Sequence, residues 1–234
     1  MDDMQGNYSR LFPKKNQMLI ADAFCRLLQQ RHFDQIAVSH ITKEANISRT
    51  TFYNYFNDKY ELMEALERVV LEDVYSELQV LRTLDFETVA KRLTSGDYLL
   101  GYFLRLQENL DVLRILLAQD PYTNFLRRFD TANIKWFAKT LQIWNVPDIS
   151  SPLGQCWTRV LSRIGLELSL TFVRQYPAHS AEEIAAFASA TYRGLLLHVQ
   201  RPVQGGTAIA QNPAVSFPLT PPPHWDFGMA EHLL

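Results

Sequence analysis

An all-α fold, with a small N-terminal unit of three helices ahead of a larger helical body, is predicted by three features of the 234-residue sequence. From Pro13 to about Arg201 apolar residues recur three and four apart, alternating β-branched runs are scarce, and Pro, Gly, Asp and Asn interrupt the pattern at helix-length intervals. With 47% apolar residues the chain can bury a substantial core.

The first helix is expected from Pro13, a good first-turn residue, to about Arg31 and His32, with the stripe Leu19/Ile20, Ala23/Phe24 and Leu27/Leu28 facing a core. A short second helix carries Val38, Ile41 and Ala45 on one face. Asn46 tolerates the left-handed conformation and predicts a sharp turn. Ser48 then caps a third helix of about two turns that buries Phe52 and Phe56 and exposes Arg49, Thr50, Tyr53 and Asn54. Asp58 and Glu61 form a capping box for a fourth helix reaching about Val80. Beyond Asp85 helices are expected at 86–106, 108–118, 122–144, 153–176 and 181–199, the last opened by a Ser180/Glu183 capping box. The expected boundaries are a head at 10–60, a body at 61–201, and a Pro/Gly-rich irregular tail at 202–234 containing six prolines.

Composition excludes several classes. No apolar run approaches the roughly 18 residues of a membrane span, and the acidic, polar opening is unlike a secretory signal, so a cytoplasmic protein is expected. Cys25 and Cys156 make no disulfide framework and read as buried small hydrophobes. The histidines lack metal-ligand spacing, and no Gly-rich phosphate loop, HExxH, GxSxG or paired-carboxylate motif occurs. The sequence therefore offers no catalytic residue, metal or cofactor, and an enzyme is not expected. The net charge is −2, yet residues 10–60 hold eight Lys or Arg against four Asp or Glu. A phosphate polymer responds to that local excess and not to the total.

Helix, sharp turn, and a short helix polar on its outer face make a helix-turn-helix, the shape that enters the major groove of double-stranded DNA. Arg49 suits a bidentate pair to guanine, Thr50 and Thr51 suit base edges or a thymine methyl, and Asn54 suits adenine. Tyr53, Tyr55 and Lys59 have the reach to hold phosphates, with Ser39 a weaker candidate. Lys59 stands in a helix's first turn, where a cation opposes the macrodipole by about 0.3–1 kcal/mol. A phosphate at that helix start would explain it.

The stretch from Phe33 to Leu62 resembles the TetR family of transcriptional regulators. The resemblance is carried by Phe33, Val38, Ile41-Thr42, Ala45-Asn46-Ile47-Ser48, Phe52-Tyr53-Asn54-Tyr55-Phe56, Lys59 and Leu62. Thr42, Asn46 and Ala37 depart from the pattern, and Ala37 deprives the second helix of a cap worth about 1 kcal/mol. The resemblance implies base reading by Arg49, Thr50 and Thr51, and phosphate contacts by Tyr53, Tyr55 and Lys59. It implies a body that serves ligand binding and dimerisation, with its last two helices paired in a homodimer on a palindromic operator whose half-sites lie about 34–36 Å apart. In that role Leu161, Ile164, Leu168 and Phe172 form a stripe near 153–176, and Ala181, Ala185, Ala188, Ser189 and Gly194 allow close approach near 181–199. Tyr102, Trp136, Phe137 and Trp157 are the candidate lining of a small-molecule effector pocket, against the plainer reading of ordinary core. The expected function is a homodimeric repressor released by an effector. The alternative is a DNA-binding regulator whose body takes a protein partner, with the tail after Pro202 as its clue.

Overall fold

Ile20, Phe24, Leu27 and Leu28 recur along one side of the first helix, and all four are buried, so this stripe seats the head. The computed structural model describes residues 11–93, 97–119, 123–146 and 149–199, all within the first of the chain's two units, Met1–Gln200. The tail from Pro202 lies outside the described residues. Helix α1 spans Lys15–Gln30, so Pro13 precedes the first turn and does not open it. Helices α2, Val38–Glu44, and α3, Arg49–Tyr53, follow. Asn46 makes the turn between them with φ 52°. Ile41 and Phe52 join Ile20 and Phe24 in the fully buried centre of the head. On its surface Arg26 of α1 pairs with Asp22 and, at 2.8 Å, with Glu44 of α2.

Helix α4, Lys59–Ser76, begins on Asp58, whose carboxylate accepts the N–H groups of Tyr60 and Glu61 at 2.8 Å each. Its return partner is shifted by one residue, because Glu61 accepts the N–H of Asn57 and not that of Asp58. The helix ends four residues short of Val80, and Glu77–Thr83 continues as a 3-10 turn. Hydroxyls compete for the backbone at both ends of that turn, Ser76 bonding the carbonyl of Asp73 and Thr83 that of Val80. Tightening to three residues per turn also aligns Leu78 and Leu81, which are both buried.

The expected helix at 86–106 is two helices, α5 Phe86–Arg92 and α6 Leu100–Glu108. The sequence between them carries Ser95, Gly96 and Asp97, poor helix formers in succession. Then come α7 Leu110–Ala118, α8 Phe125–Ile143, α9 Pro152–Gln175 and α10 Ala181–Val199. Ser151 caps α9, and the Ser180/Glu183 box closes α10 with bonds of 2.9 and 3.2 Å. No strand occurs among the described residues, and no helix there is long and apolar enough to cross a membrane.

Helix α9 packs against α8 through small buried residues. Thr158 and Ser169 donate their hydroxyls to the carbonyls of Gly154 and Gly165 one turn back, which satisfies them within the helix. This inward placement corrects the expected dimer stripe in part, since Ile164 and Leu168 stay half-buried. Leu161 and Phe172 are buried in the chain's own core, as are Ala181, Ala185, Ala188 and Ser189 of α10, because these faces close on α8, on α6 and on each other. The outward face of α9 instead presents Leu153 and Val160, with Trp157 half-buried between them, and α10 presents Phe187. Cys156 shares that outward face and is exposed, contrary to its reading as a core residue, while Cys25 is buried.

Where α1 packs on α7, a buried carboxamide ties head to body. Gln119, just past α7, accepts the N–H of Phe33 at 2.9 Å and donates to the carbonyls of Leu28 at 3.0 Å and Arg31 at 3.3 Å. These groups lie where α1 ends and its last carbonyls lack helical partners. Leucine at position 119 keeps the volume and strands the head's polar groups in the interior. The Gln119→Leu protein should lose about 2–3 kcal/mol of unfolding free energy in urea denaturation, whereas a loss below about 0.5 kcal/mol would show that the joint is dispensable.

Candidate nucleic-acid interface

A five-residue helix is not stable by itself, so α3 takes its pose from its anchors. Ser48 accepts the N–H of Thr51 at 3.0 Å and pairs with the Thr51 hydroxyl at 2.9 Å. Phe52 points inward, fully buried, with the Phe56 ring 6.0 Å away. With Phe52 fixed inside, helical spacing turns Arg49, Thr50, Tyr53 and Asn54 outward, and all four are exposed, Tyr53 by 54%. Together they offer a guanidinium, a hydroxyl, a phenol and a carboxamide on one short ridge, a donor-rich surface suited to base edges and phosphates.

The other expected contacts are placed differently. Thr51 is half-buried and its hydroxyl serves the cap. Tyr55 is half-buried too, its hydroxyl accepting from Asn16 at 3.5 Å and its ring lying 6.0 Å beneath the Lys14 ammonium, so it braces the start of α1. Ser39 sits half-buried in the first turn of α2, where its carbonyl accepts the Thr42 hydroxyl at 3.3 Å. Ala37 brings no side-chain acceptor to that helix, but His40 Nδ1 accepts the Ala37 N–H at 3.2 Å and restores half of a capping box.

Lys59, expected to face phosphate, is occupied within the head. Its ammonium donates to the carbonyls of Phe33 at 2.8 Å and Asp34 at 3.1 Å and lies 4.6 Å from the centre of the Phe33 ring. Burial lowers its pKa from the ordinary lysine value, with the nearby Asp34 charge acting in the opposite direction. The first-turn N–H groups beside it are likewise filled by Asp58. Lysine at this helix start therefore binds the carbonyls of Phe33 and Asp34 in the segment between α1 and α2, and the helix dipole is answered by the acid before it.

In the body, the 3-10 turn and α5, α6, α8, α9 and α10 enclose a cavity of about 50 Å³. Tyr102, Trp136 and Phe137 line it as expected. Trp157 does not, because it stands on the outward side of α9. Asn133, Trp144, Gly165 and Tyr192 complete walls that the sequence pattern alone did not single out. Gly165 was the legible signal among them, since a mid-helix glycine sacrifices stability unless something needs its space. Here a Cβ at Gly165 would stand 2.6 Å from the Tyr192 hydroxyl. Burial raises the Tyr102 hydroxyl to about 12 and pushes Tyr75 and Tyr192 well up, so all three keep their protons at neutral pH. Among the described residues no cluster of three or more His, Cys, Asp or Glu could hold a metal ion.

Residues 20–66 match the family described as bacterial regulatory proteins, tetR family. Over 47 residues the chain is 49% identical to the HTH-type dhaKLM operon transcriptional activator DhaS of Lactococcus lactis subsp. lactis, covering 20% of this chain and 25% of that protein. The match thus spans a quarter of the relative's length. Among solved structures, the dihydroxyacetone kinase operon activator DhaS is similar with a TM-score of 0.49 and 22% identity, covering 80% of this chain and 97% of that one. The TetR family repressor AlkX of a Dietzia species is similar with a TM-score of 0.47 and 14% identity, covering 79% and 97%.

Two substitutions separate anchors from the exposed ridge. Ser48→Ala removes the cap and should lower stability by about 0.5–2 kcal/mol. Lys59→Met keeps the aliphatic stem over Phe33 but removes the Asp34 carbonyl's donor and the Phe33 carbonyl's second one, and should lower the thermal midpoint by several degrees. An unchanged midpoint in Lys59→Met would return that ammonium to the surface.

Proposed function

Because residues 20–66 match the tetR family of bacterial regulatory proteins, we propose that the chain is a DNA-binding transcription regulator of that family, a homodimeric repressor that reads a palindromic operator and leaves it when a small effector enters the body. The observation that carries the reading is the outward ridge Arg49, Thr50, Tyr53 and Asn54 over a buried Phe52, within the matched segment. Arg49, Thr50 and Asn54 read bases, and Tyr53 holds phosphate. Thr51, Tyr55, Ser39 and Lys59 act chiefly by setting the ridge's pose, with Thr51 and Tyr55 close enough to it to add contacts.

Two heads are needed to span half-sites about 34–36 Å apart. The apolar outward residues Leu153 and Val160 of α9 and Phe187 of α10, at 57%, 40% and 42% exposure, support a second copy seated there. The cavity supports the effector arm. At about 50 Å³ it is well below the roughly 300–1,000 Å³ of preformed ligand pockets, so occupation must move its walls. Phe103 of α6 lines the cavity, α6 packs on α7, and α7 leads into Gln119, which grips the head. Control of operator affinity then requires only that the two wall positions hold Gln119 differently.

Selection from genomic fragments followed by footprinting should recover one short palindrome, and enrichment of no sequence would overturn the regulator reading. Arg49→Ala should cost about 1–3 kcal/mol at one guanine position and relax preference there, whereas Tyr53→Ala should weaken all sequences alike. Val160→Glu should sediment as a monomer in analytical ultracentrifugation with loss of cooperative operator binding, and a dimer that survives it would place the interface elsewhere.

A further inference from the structure

Among the described residues no charged side chain lines the cavity, and its polar groups are accounted for one by one. The Tyr102 hydroxyl pairs with Ser169 at 2.8 Å. Tyr192 donates to the carbonyl of Leu161 at 3.1 Å, and the Trp144 indole donates to that of Leu81 at 3.0 Å. Asn133 accepts from Tyr75 at 3.0 Å and donates to the carbonyl of Ser162 at 2.6 Å. One group is left over. Trp136 is 6% exposed, and its Nε1 is buried without any hydrogen-bond partner among the described residues. Arg82 holds that residue from outside the cavity, its guanidinium 5.4 Å from the ring and bonded to the Trp136 carbonyl at 3.2 Å. Native interiors rarely leave an indole N–H unpaired, because a buried donor without an acceptor is destabilising.

We propose that the cavity takes a small uncharged apolar molecule with one hydrogen-bond acceptor, a ketone or ester carbonyl, received by the Trp136 indole N–H. The inference rests on the effector reading above and adds its chemistry. A carboxylate is rejected twice over, since no cation in the lining would compensate its desolvation and the surrounding hydroxyls are already committed to protein acceptors. A pure hydrocarbon fills the space but leaves the indole unpaired. A polyol brings more donors and acceptors than the walls can satisfy. A neutral molecule with a single carbonyl matches both the apolar walls and the one free donor.

The test uses the full chain and three ring compounds of matched shape, namely cyclohexanone, cyclohexane and cyclohexanecarboxylate, in titration calorimetry with the wild type and with Trp136→Phe. The ketone should bind saturably to the wild type and weaken about tenfold in Trp136→Phe, the hydrocarbon should change by less than about twofold between the two proteins, and the carboxylate should not bind. Carboxylate affinity equal to that of the ketone, equal weakening of ketone and hydrocarbon, or no ketone binding up to its solubility would each overturn the assignment. The wild-type contrast between ketone and carboxylate needs no variant and stands even if Trp136→Phe folds poorly. Operator release, followed by fluorescence anisotropy of labelled DNA, is scored separately. Ketone binding without release keeps the ligand class and overturns the effector reading, while release by the carboxylate without ketone binding does the reverse.

Discussion

The Gln119 carboxamide is the constraint on which the head's position depends. Between α1 and α2 the chain makes only the 3-10 turn Phe33–Gln35, so the carbonyls of Leu28, Arg31 and Asp34 and the N–H of Phe33 look to more distant partners, and the Phe33 carbonyl, which accepts the Ile36 N–H at 3.2 Å, takes a second donor. Gln119 serves three of these groups and Lys59 the other two. One donor set comes from the body and the other from the first turn of α4, the helix that runs from the head into the body. The connection is thus fastened from both sides, and the head cannot tilt without breaking buried hydrogen bonds. A head this small has little core of its own, which makes the fastening a condition of its order and not an accessory to it.

Given that fastening, the recognition ridge is separable from stability. Asn46 supplies the turn, Ser48 the cap and Phe52 the anchor, and each is turned toward the protein. Arg49, Thr50, Tyr53 and Asn54 are turned away, and substitutions there touch no core contact beyond the edge of Phe52, whose ring stands 5.5 Å from that of Tyr53. The same short helix therefore keeps its pose while its outer face is free to vary. Under the proposed reading, that division would let one scaffold present many base preferences.

The head was largely legible in the sequence because its determinants are local. A left-handed Asn, a Ser cap and Phe residues four apart lie within eleven positions, and each acts on its immediate neighbours. What depended on distant partners was not. Lys59 looked outward by a helix-dipole argument, yet carbonyls some 25 residues earlier hold it, a pairing that no local pattern encodes. Helix α9 is apolar on two faces, Leu161 and Phe172 on one and Leu153 and Val160 on the other, and periodicity alone does not say which face the chain keeps for itself. Trp157 and Tyr192 exchange roles for the same reason, since both are aromatic at helical spacing and only the rotation of their helices decides which one reaches the cavity.

That rotation also decides how the body can respond. A packed core resists gradual deformation, so under the proposed effector reading a cavity smaller than its occupant would have two arrangements and little between them. The wall that must move includes Phe103 on α6 and the Leu78/Leu81 pair on the 3-10 turn. Arg105 of α6 binds Glu77 of the 3-10 turn at 2.5 Å, and Asn109 at the helix end binds Asp73 of α4 at 2.7 Å, so α6 is tied to the last turn of α4 and the segment after it. Asn109 also opens α7, whose far end carries Gln119. Under the proposed effector reading, displacement at the cavity would reach the head along α4 and along α7 together, the two elements that hold its connecting segment. A shift that kept one hold and broke the other would strand buried carbonyls, which favours motion of the head as a rigid whole over its partial unfolding.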